Sequence, residues 1–258
     1  MPAVRWLAMY ALARIVMVRT IARCRPVRRT SALGFRAGSI FDVDADALAA
    51  SLRADGFDAR LRLPATLVGE IVCLGKRVSA STPCAAQGPP FEVVERIAKD
   101  PALERIAALY LGVPAIYRGS RLWWKSSEAP GDPRESGTRF HYDLYDYGSL
   151  AFLFYLSDVD ASAGPHVCVR ASHRFRRWRD QLHPRRHRSD EEVIRSYGRE
   201  RIITIHGPAG TVIAEDPFCL HKGTPLASRR RLALQLLYTR NAFPAPPFSG
   251  PAGAAGSR

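Results

Sequence analysis

Hydrophobic residues recur at helical spacing in the first half of the chain. Residues 42–56 combine an acidic start, an apolar face and Gly56 just past the end, and this combination predicts a helix. Similar spacing covers residues 67–74 and 91–111. We therefore expect residues 42–112 to be mainly helical.

After Pro114 the pattern changes to short apolar runs bounded by turn residues, which predict β-strands. These runs occupy residues 150–156, 166–170, 202–205, 211–214 and 232–238. Because they are not arranged as βαβ units, they indicate an antiparallel sandwich or barrel. We expect a mainly β fold with flanking helices, built around a double-stranded β-helix (jelly-roll, cupin-like) core at residues 115–241.

A chain of 258 residues is long enough for one well-buried core. We expect a basic amphipathic N-terminal extension at residues 1–38 and a single domain at residues 39–241. That domain contains a basic insertion at residues 174–200. The tail at residues 242–258 is rich in Pro, Gly and Ala and is expected to be disordered.

The net charge of +14 comes from arginines concentrated in the N-terminal extension and in residues 174–188. The apolar part of the extension is interrupted by Arg14 and is shorter than the roughly 20 residues that span a bilayer. It could lie on an acidic membrane face, act as a targeting peptide or have no function. The second cluster could bind anionic lipid, coenzyme A or nucleic acid, although a solvated loop is the commoner case. Nucleic acid is not expected, because Trp178 is the one aromatic in the middle of that cluster.

Five scattered cysteines lack the close pairs of a zinc site and the density of a disulfide scaffold. They indicate a cytoplasmic protein, with peripheral membrane contact through the N-terminus as a further option.

The segment His141-Tyr142-Asp143 places an imidazole and a carboxylate on one face of an extended chain. His221, just beyond a predicted strand, supplies a third ligand if the barrel closes around it. Two imidazoles and one carboxylate suit Fe(II) and leave positions for a 2-oxoacid and dioxygen. Arg231 begins the last long strand, and its guanidinium suits the far carboxylate of 2-oxoglutarate.

Several segments have a recognisable order and spacing. They are LWWKS from Leu122, FHYDLYDYGSLAFLFYLSDVD from Phe140, AGPHVCVRASHR from Ala163, GTVIAEDPFCLHKGTP from Gly210 and RRRLALQLLY from Arg229. Together they resemble the phytanoyl-CoA dioxygenase family of Fe(II)/2-oxoglutarate enzymes, from about Ala47 to about Thr239. Ala171 departs from the family, where a glycine usually precedes Ser-His.

The resemblance implies His141, Asp143 and His221 as iron ligands and Arg231 as the 2-oxoglutarate anchor, with Arg230 as the alternative. It implies hydroxylation of an unactivated carbon in a small organic or lipid-like substrate, with release of succinate and CO2 and with ascorbate as an optional reductant. No catalytic residue is expected beyond the metal centre.

A catalytically silent binding module that docks on an acidic membrane or polymer is the alternative function, and the complete ligand set argues against it. Outside that set, His166, His173 and His206 are expected to be structural because none has a second ligand at suitable spacing. Lys125 is a weaker candidate for a residue that lines the cofactor or substrate pocket.

Overall fold

A computed structural model of the chain describes residues 2–23, 38–77, 84–88, 90–125, 137–182, 187–227 and 229–242. Its helices are α1 (Pro2–Leu12), α2 (Val16–Arg23), α3 (Ala45–Asp55), α4 (Ala65–Gly75), α5 (Glu92–Ala98), α6 (Pro101–Leu111), α7 (Trp178–Leu182) and α8 (Asp190–Tyr197). Its strands are β1 (Phe57–Arg62), β2 (Cys84–Ala85), β3 (Ile116–Lys125), β4 (Ser149–Tyr155), β5 (His166–Val169), β6 (Ile202–Ile205), β7 (Thr211–Glu215), β8 (His221–Gly223) and β9 (Arg231–Thr239). All but the first residue of the predicted C-terminal tail lies outside the described residues.

Two antiparallel sheets form the core of the fold. The larger sheet has the strand order β1-β7-β4-β9-β3-β2, and the smaller one has the order β6-β5-β8. Apolar side chains of both sheets, such as Leu153 and Ile213 from the larger and Cys168 and Ile205 from the smaller, form one buried cluster. The sheets therefore pack face to face, as in a double-stranded β-helix, and the predicted fold class is confirmed.

Helices cover the outer face of the larger sheet. Alternation along β4, β7 and β9 sends one set of side chains away from the smaller sheet, where α3 to α6 pack on it in the largest buried cluster of the protein. The helix α3 begins after Asp44, whose carboxylate accepts hydrogen bonds from two amides, and ends at Gly56, which has φ of 90°. The predicted helix at 91–111 is in fact two helices, because Asp100 caps a new helix that starts with Pro101.

The outer face of the smaller sheet is covered by the N-terminal helices and α8. Met9 and Ala13 are buried there against Val167, Val193 and Leu220. The described part of the N-terminal extension is thus packed on the domain. None of the described helices is long and apolar enough to cross a membrane.

A buried ion pair holds α2 in place. Arg19 is 3% exposed and its Nη2 lies 3.2 Å from Asp216 Oδ1, while its Nη1 donates to the carbonyl of Asp146 at 3.0 Å. Tyr110 Oη also donates to Asp216, at 2.6 Å, and Arg23 lies 3.5 Å from the same carboxylate. Burial by itself would raise the pKa of Asp216, but Arg19 and Arg23 lower it to about 2.

Candidate metal centre

The structure brings His141, Asp143 and His221 together at one end of the smaller sheet. One ligand atom from each lies within 4.8 Å of the others. His141 and His221 exchange two backbone hydrogen bonds of 2.9 Å, and their ring centroids are 4.5 Å apart. His221 Nε2 lies 3.9 Å from Asp143 Oδ2. Residues 80 positions apart in sequence therefore form one compact group, and we name His141, Asp143 and His221 the triad.

Backbone carbonyls fix the orientation of both imidazoles. His141 Nδ1 lies 2.9 Å from the Arg139 carbonyl, and His221 Nδ1 lies 2.9 Å from the Cys219 carbonyl. Each Nδ1 must be protonated to donate to its carbonyl. In that tautomer the Nε2 atom carries a lone pair that can bind a metal ion. Burial and the neighbouring His221 lower the pKa of His141 to about 4, so its ring is neutral at physiological pH. Neutral imidazoles are the form that binds metal ions.

The turn before His221 positions two of the three groups. Asp143 N donates to the Pro217 carbonyl at 2.7 Å, so the segment that carries this carboxylate is held against the turn. Asp216 opens the turn, and its Oδ1 accepts from Phe218 N at 3.0 Å. Because Arg19 binds Asp216, the N-terminal helix α2 contacts the turn that places the candidate ligands.

Two cations face each other across β3 and β9 near the triad. Lys125 and Arg231 are register partners, and an added Cβ at Gly223 would lie 2.8 Å from Lys125 Nζ and 3.6 Å from Arg231 Nη2. Gly223 is two residues beyond His221, so the room that its missing side chain leaves to these two cations is next to the triad. Lys125 Nζ also donates to the Thr224 carbonyl at 3.0 Å.

Arg231 is buried without a carboxylate partner among the described residues. It is 4% exposed, its Nη1 donates to the Gly164 carbonyl, and its Nε has no hydrogen-bond partner. Burial lowers the pKa of its guanidinium, and Tyr155 beneath it acts in the opposite direction. Arg230, the alternative anchor, is exposed in the loop before β9. Of the two arginines, only Arg231 reaches the interior.

A second group of potential ligands lies beside the triad. His166, Cys168 and Glu215 are all buried, with His166 Nε2 2.8 Å from Glu215 Oε2 and Cys168 Sγ 3.6 Å from the same oxygen. The rings of His166 and His221 are 5.4 Å apart, and the charge of Arg231 reaches His166. His166 therefore lies next to His221 and within electrostatic range of Arg231. Sequence reasoning missed Glu215, although a carboxylate inside an otherwise apolar strand is a signal for a buried partner.

His173 and His206 lie outside the triad, whereas the ring of His187 is 5.8 Å from the ring of His141. His173 Nε2 is 3.3 Å from the Arg53 carbonyl, and His206 is exposed. Ala171 has φ of 60°, a conformation that glycine adopts more readily, so its departure from the resemblance falls at a strained position.

Similar solved structures share this fold. AviO1 from Streptomyces viridochromogenes Tue57 superposes with a TM-score of 0.56 at 16% identity, covering 79% of this chain and 98% of that one. SnoN from nogalamycin biosynthesis, a non-heme alpha ketoglutarate dependent epimerase, gives a TM-score of 0.58 at 18% identity, covering 76% and 82%. EctD from S. alaskensis, crystallised with bound Fe, gives 0.55 at 19% identity, covering 80% and 79%.

These identities are low, so the similarity establishes the fold alone. The chemistry has to be inferred from the residues of the site. The sequence matches no protein-family model and no curated protein. SnoN has also been crystallised with Fe3+, alpha ketoglutarate and nogalamycin RO. The structure thus belongs to a fold on which iron and 2-oxoglutarate bind in other proteins.

Proposed function

We propose that the protein is an Fe(II)- and 2-oxoglutarate-dependent dioxygenase that hydroxylates a small organic or lipid-like substrate. The observation that carries the proposal is the convergence of His141, Asp143 and His221, with both imidazoles directing Nε2 away from the backbone. The phytanoyl-CoA dioxygenase resemblance supports the narrower family, and the fold shared with SnoN and EctD supports the cofactor pair.

The donor set fits iron. Two imidazoles and one carboxylate would bind one side of a metal ion and leave other positions for small ligands. The carbonyls behind His141 and His221 hold each ring in a single orientation, as second partners do in metal sites. Bound iron and 2-oxoglutarate would supply the oxidising power for C–H hydroxylation, with release of succinate and CO2.

The buried cation beside the triad fits a dicarboxylate cofactor. A buried guanidinium without an acidic partner is costly unless an anion binds it. Arg231 has a free Nε, and Lys125 lies opposite it in the β3–β9 register. We infer that Arg231 binds the far carboxylate of 2-oxoglutarate, that Lys125 adds positive charge, and that Gly223 leaves room for both cations.

The substrate would enter between the sheets. Trp123 is two residues from Lys125 on β3, so alternation directs its indole to the same interior, where it packs on the buried cluster. An indole beside an apolar interior favours a carbon-rich substrate. The dry interior would keep water from the reacting carbon.

Iron binding is tested by anaerobic addition of Fe(II) and 2-oxoglutarate, which should produce a weak visible charge-transfer band. The band should disappear in His141→Ala and Asp143→Ala. His206→Ala is the matched control, because His206 is exposed and outside the triad, and it should keep the band. A band that survives both triad substitutions would refute the ligand assignment.

The cofactor anchor is tested by comparing two neighbouring arginines. Arg231→Leu should raise the 2-oxoglutarate concentration needed for the band at least about tenfold, since it removes a charge-assisted pair, while leaving the iron requirement nearly unchanged. Arg230→Leu should behave like wild type. If Arg230→Leu has the larger effect, the anchor is misassigned.

Hydroxylation is tested by the product. Candidate acyl-thioesters, lipids and small metabolites can be screened for substrate-dependent succinate release. A hydroxylase yields a product that carries one added oxygen atom from O2, as mass spectrometry with labelled dioxygen would show. A product of unchanged composition would indicate an epimerase instead, the activity of SnoN. A band without turnover of any substrate would favour the binding module.

A further inference from the structure

The helix α2 directs apolar side chains to solvent and an arginine to the protein. Met17 and Ile21 lie one turn apart and are 67% and 61% exposed, whereas Arg19 is 3% exposed. A helix that faces only water has the opposite arrangement. Such a reversal is typical of a helix whose outer side contacts another apolar phase.

The neighbouring helix α1 has the same character. Leu7 and Leu12 are 59% and 46% exposed, while Met9 and Ala13 are buried. Six of the seven large exposed hydrophobic side chains in the described part of the chain lie on α1, on α2 or at residues 175–178. Single exposed apolar residues are normal, whereas a concentration of them is typical of an interaction site.

The start of α7 adds an aromatic side chain to the same region. Val16 N, at the start of α2, donates to Gln181 Oε1 at 2.8 Å. Trp178 lies about one turn before Gln181 and is 65% exposed. Trp178 is therefore close to α2, and we name Leu7, Leu12, Met17, Ile21 and Trp178 the outer apolar face.

Positive charge adjoins this face. The guanidinium carbons of Arg174 and Arg201 lie 5.4 Å and 5.8 Å from the centroid of the exposed Phe175 ring. Arg177, directly before Trp178, is exposed. Arginines beside exposed apolar and aromatic side chains match a surface that offers anionic groups above an apolar layer.

We propose that the outer apolar face binds the surface of an anionic lipid bilayer, with its side chains at the headgroup boundary. A second copy of the chain is disfavoured as the occupant because two chains of net charge +14 repel each other. The helices lie on the bilayer, since none of those described could cross it. This inference is independent of the dioxygenase proposal.

The test is co-sedimentation of the full chain with vesicles of phosphatidylcholine containing about a third phosphatidylglycerol, and with pure phosphatidylcholine vesicles. Wild type should bind the anionic vesicles and bind less to the neutral ones or at high salt. Met17→Gln/Ile21→Gln should weaken binding to the anionic vesicles about tenfold or more, because two apolar side chains that would enter the bilayer surface are lost. Ile116→Gln, a partly exposed apolar residue on β3, is the matched control and should bind like wild type.

Two further readouts make the result decisive. Trp emission should shift to the blue on anionic vesicles, and Trp178→Phe should reduce the shift. Met17→Gln/Ile21→Gln should unfold at the wild-type temperature, because both side chains are exposed. The proposal is overturned if wild type ignores anionic vesicles, if the double variant binds equally well, or if light scattering shows a wild-type dimer that the double variant abolishes. Loss of membrane binding with an intact iron band would leave the dioxygenase proposal standing.

Discussion

Replacing Arg19 by methionine tests whether the helix α2 is part of the stable fold. Arg19 and Asp216 are both almost fully buried, and the pair is 3.2 Å apart. Removing one partner of a buried ion pair costs about 3–5 kcal/mol, because the other charge is left uncompensated. Here Arg23 and Tyr110 still contact Asp216, so we expect a loss of about 2–4 kcal/mol.

The loss can be measured by urea unfolding and corresponds to a fall in Tm of about 4–16 °C for a domain of this size. Arg105→Met is the matched control, because Arg105 and Asp46 form an exposed pair at 2.8 Å, and such pairs contribute about 1 kcal/mol or less. Adding Asp216→Asn to Arg19→Met should cost less than the sum of the single changes. A change below about 0.5 kcal/mol for Arg19→Met, or strictly additive effects, would contradict the reasoning.

Three other predictions follow from buried groups. Gly56→Ala should destabilise the protein by about 2 kcal/mol or more, since Gly56 has φ of 90° and the new Cβ would lie 2.6 Å from His173 Nδ1; unchanged urea unfolding would refute this. Burial raises the pKa of the Cys219 thiol to about 12, so a thiol reagent should label the exposed Cys73 in the native state and Cys219 only on unfolding, as peptide mapping would show. Arg19 and Arg23 overcome burial and lower the pKa of Asp216 to about 2. Ionised Asp216 therefore stabilises the folded state fully above its unfolded-state pKa near 3.8, and this stabilisation is lost as the pH falls towards 2. The stability gap between wild type and Asp216→Asn should therefore narrow by about 2 kcal/mol between about pH 5 and pH 2, and a gap that stays constant would argue against a buried ionised Asp216.

Local patterns in the sequence determined much of the architecture. The five predicted strands are present within one residue at either end, because alternation and turn residues act over a few positions. The cap signals at Gly56 held for the same reason, and the pairing of His141 with Asp143 follows from two-residue spacing. The strand β1 was not predicted, because it lies in the part expected to be mainly helical, and β3 was less evident, since its apolar residues are mixed with arginines.

Tertiary structure alone decided which distant residues meet. Glu215 contacts His166 across 49 positions, and Asp216 contacts Arg19 across 197. Lys125 lies opposite Arg231 because of the β3–β9 register, which no local pattern encodes. Arg19 of α2 faces inward for a similar reason. Its guanidinium pairs with the buried carboxylate of Asp216 on a remote turn, and this pair decides that the opposite side of the helix carries Met17 and Ile21.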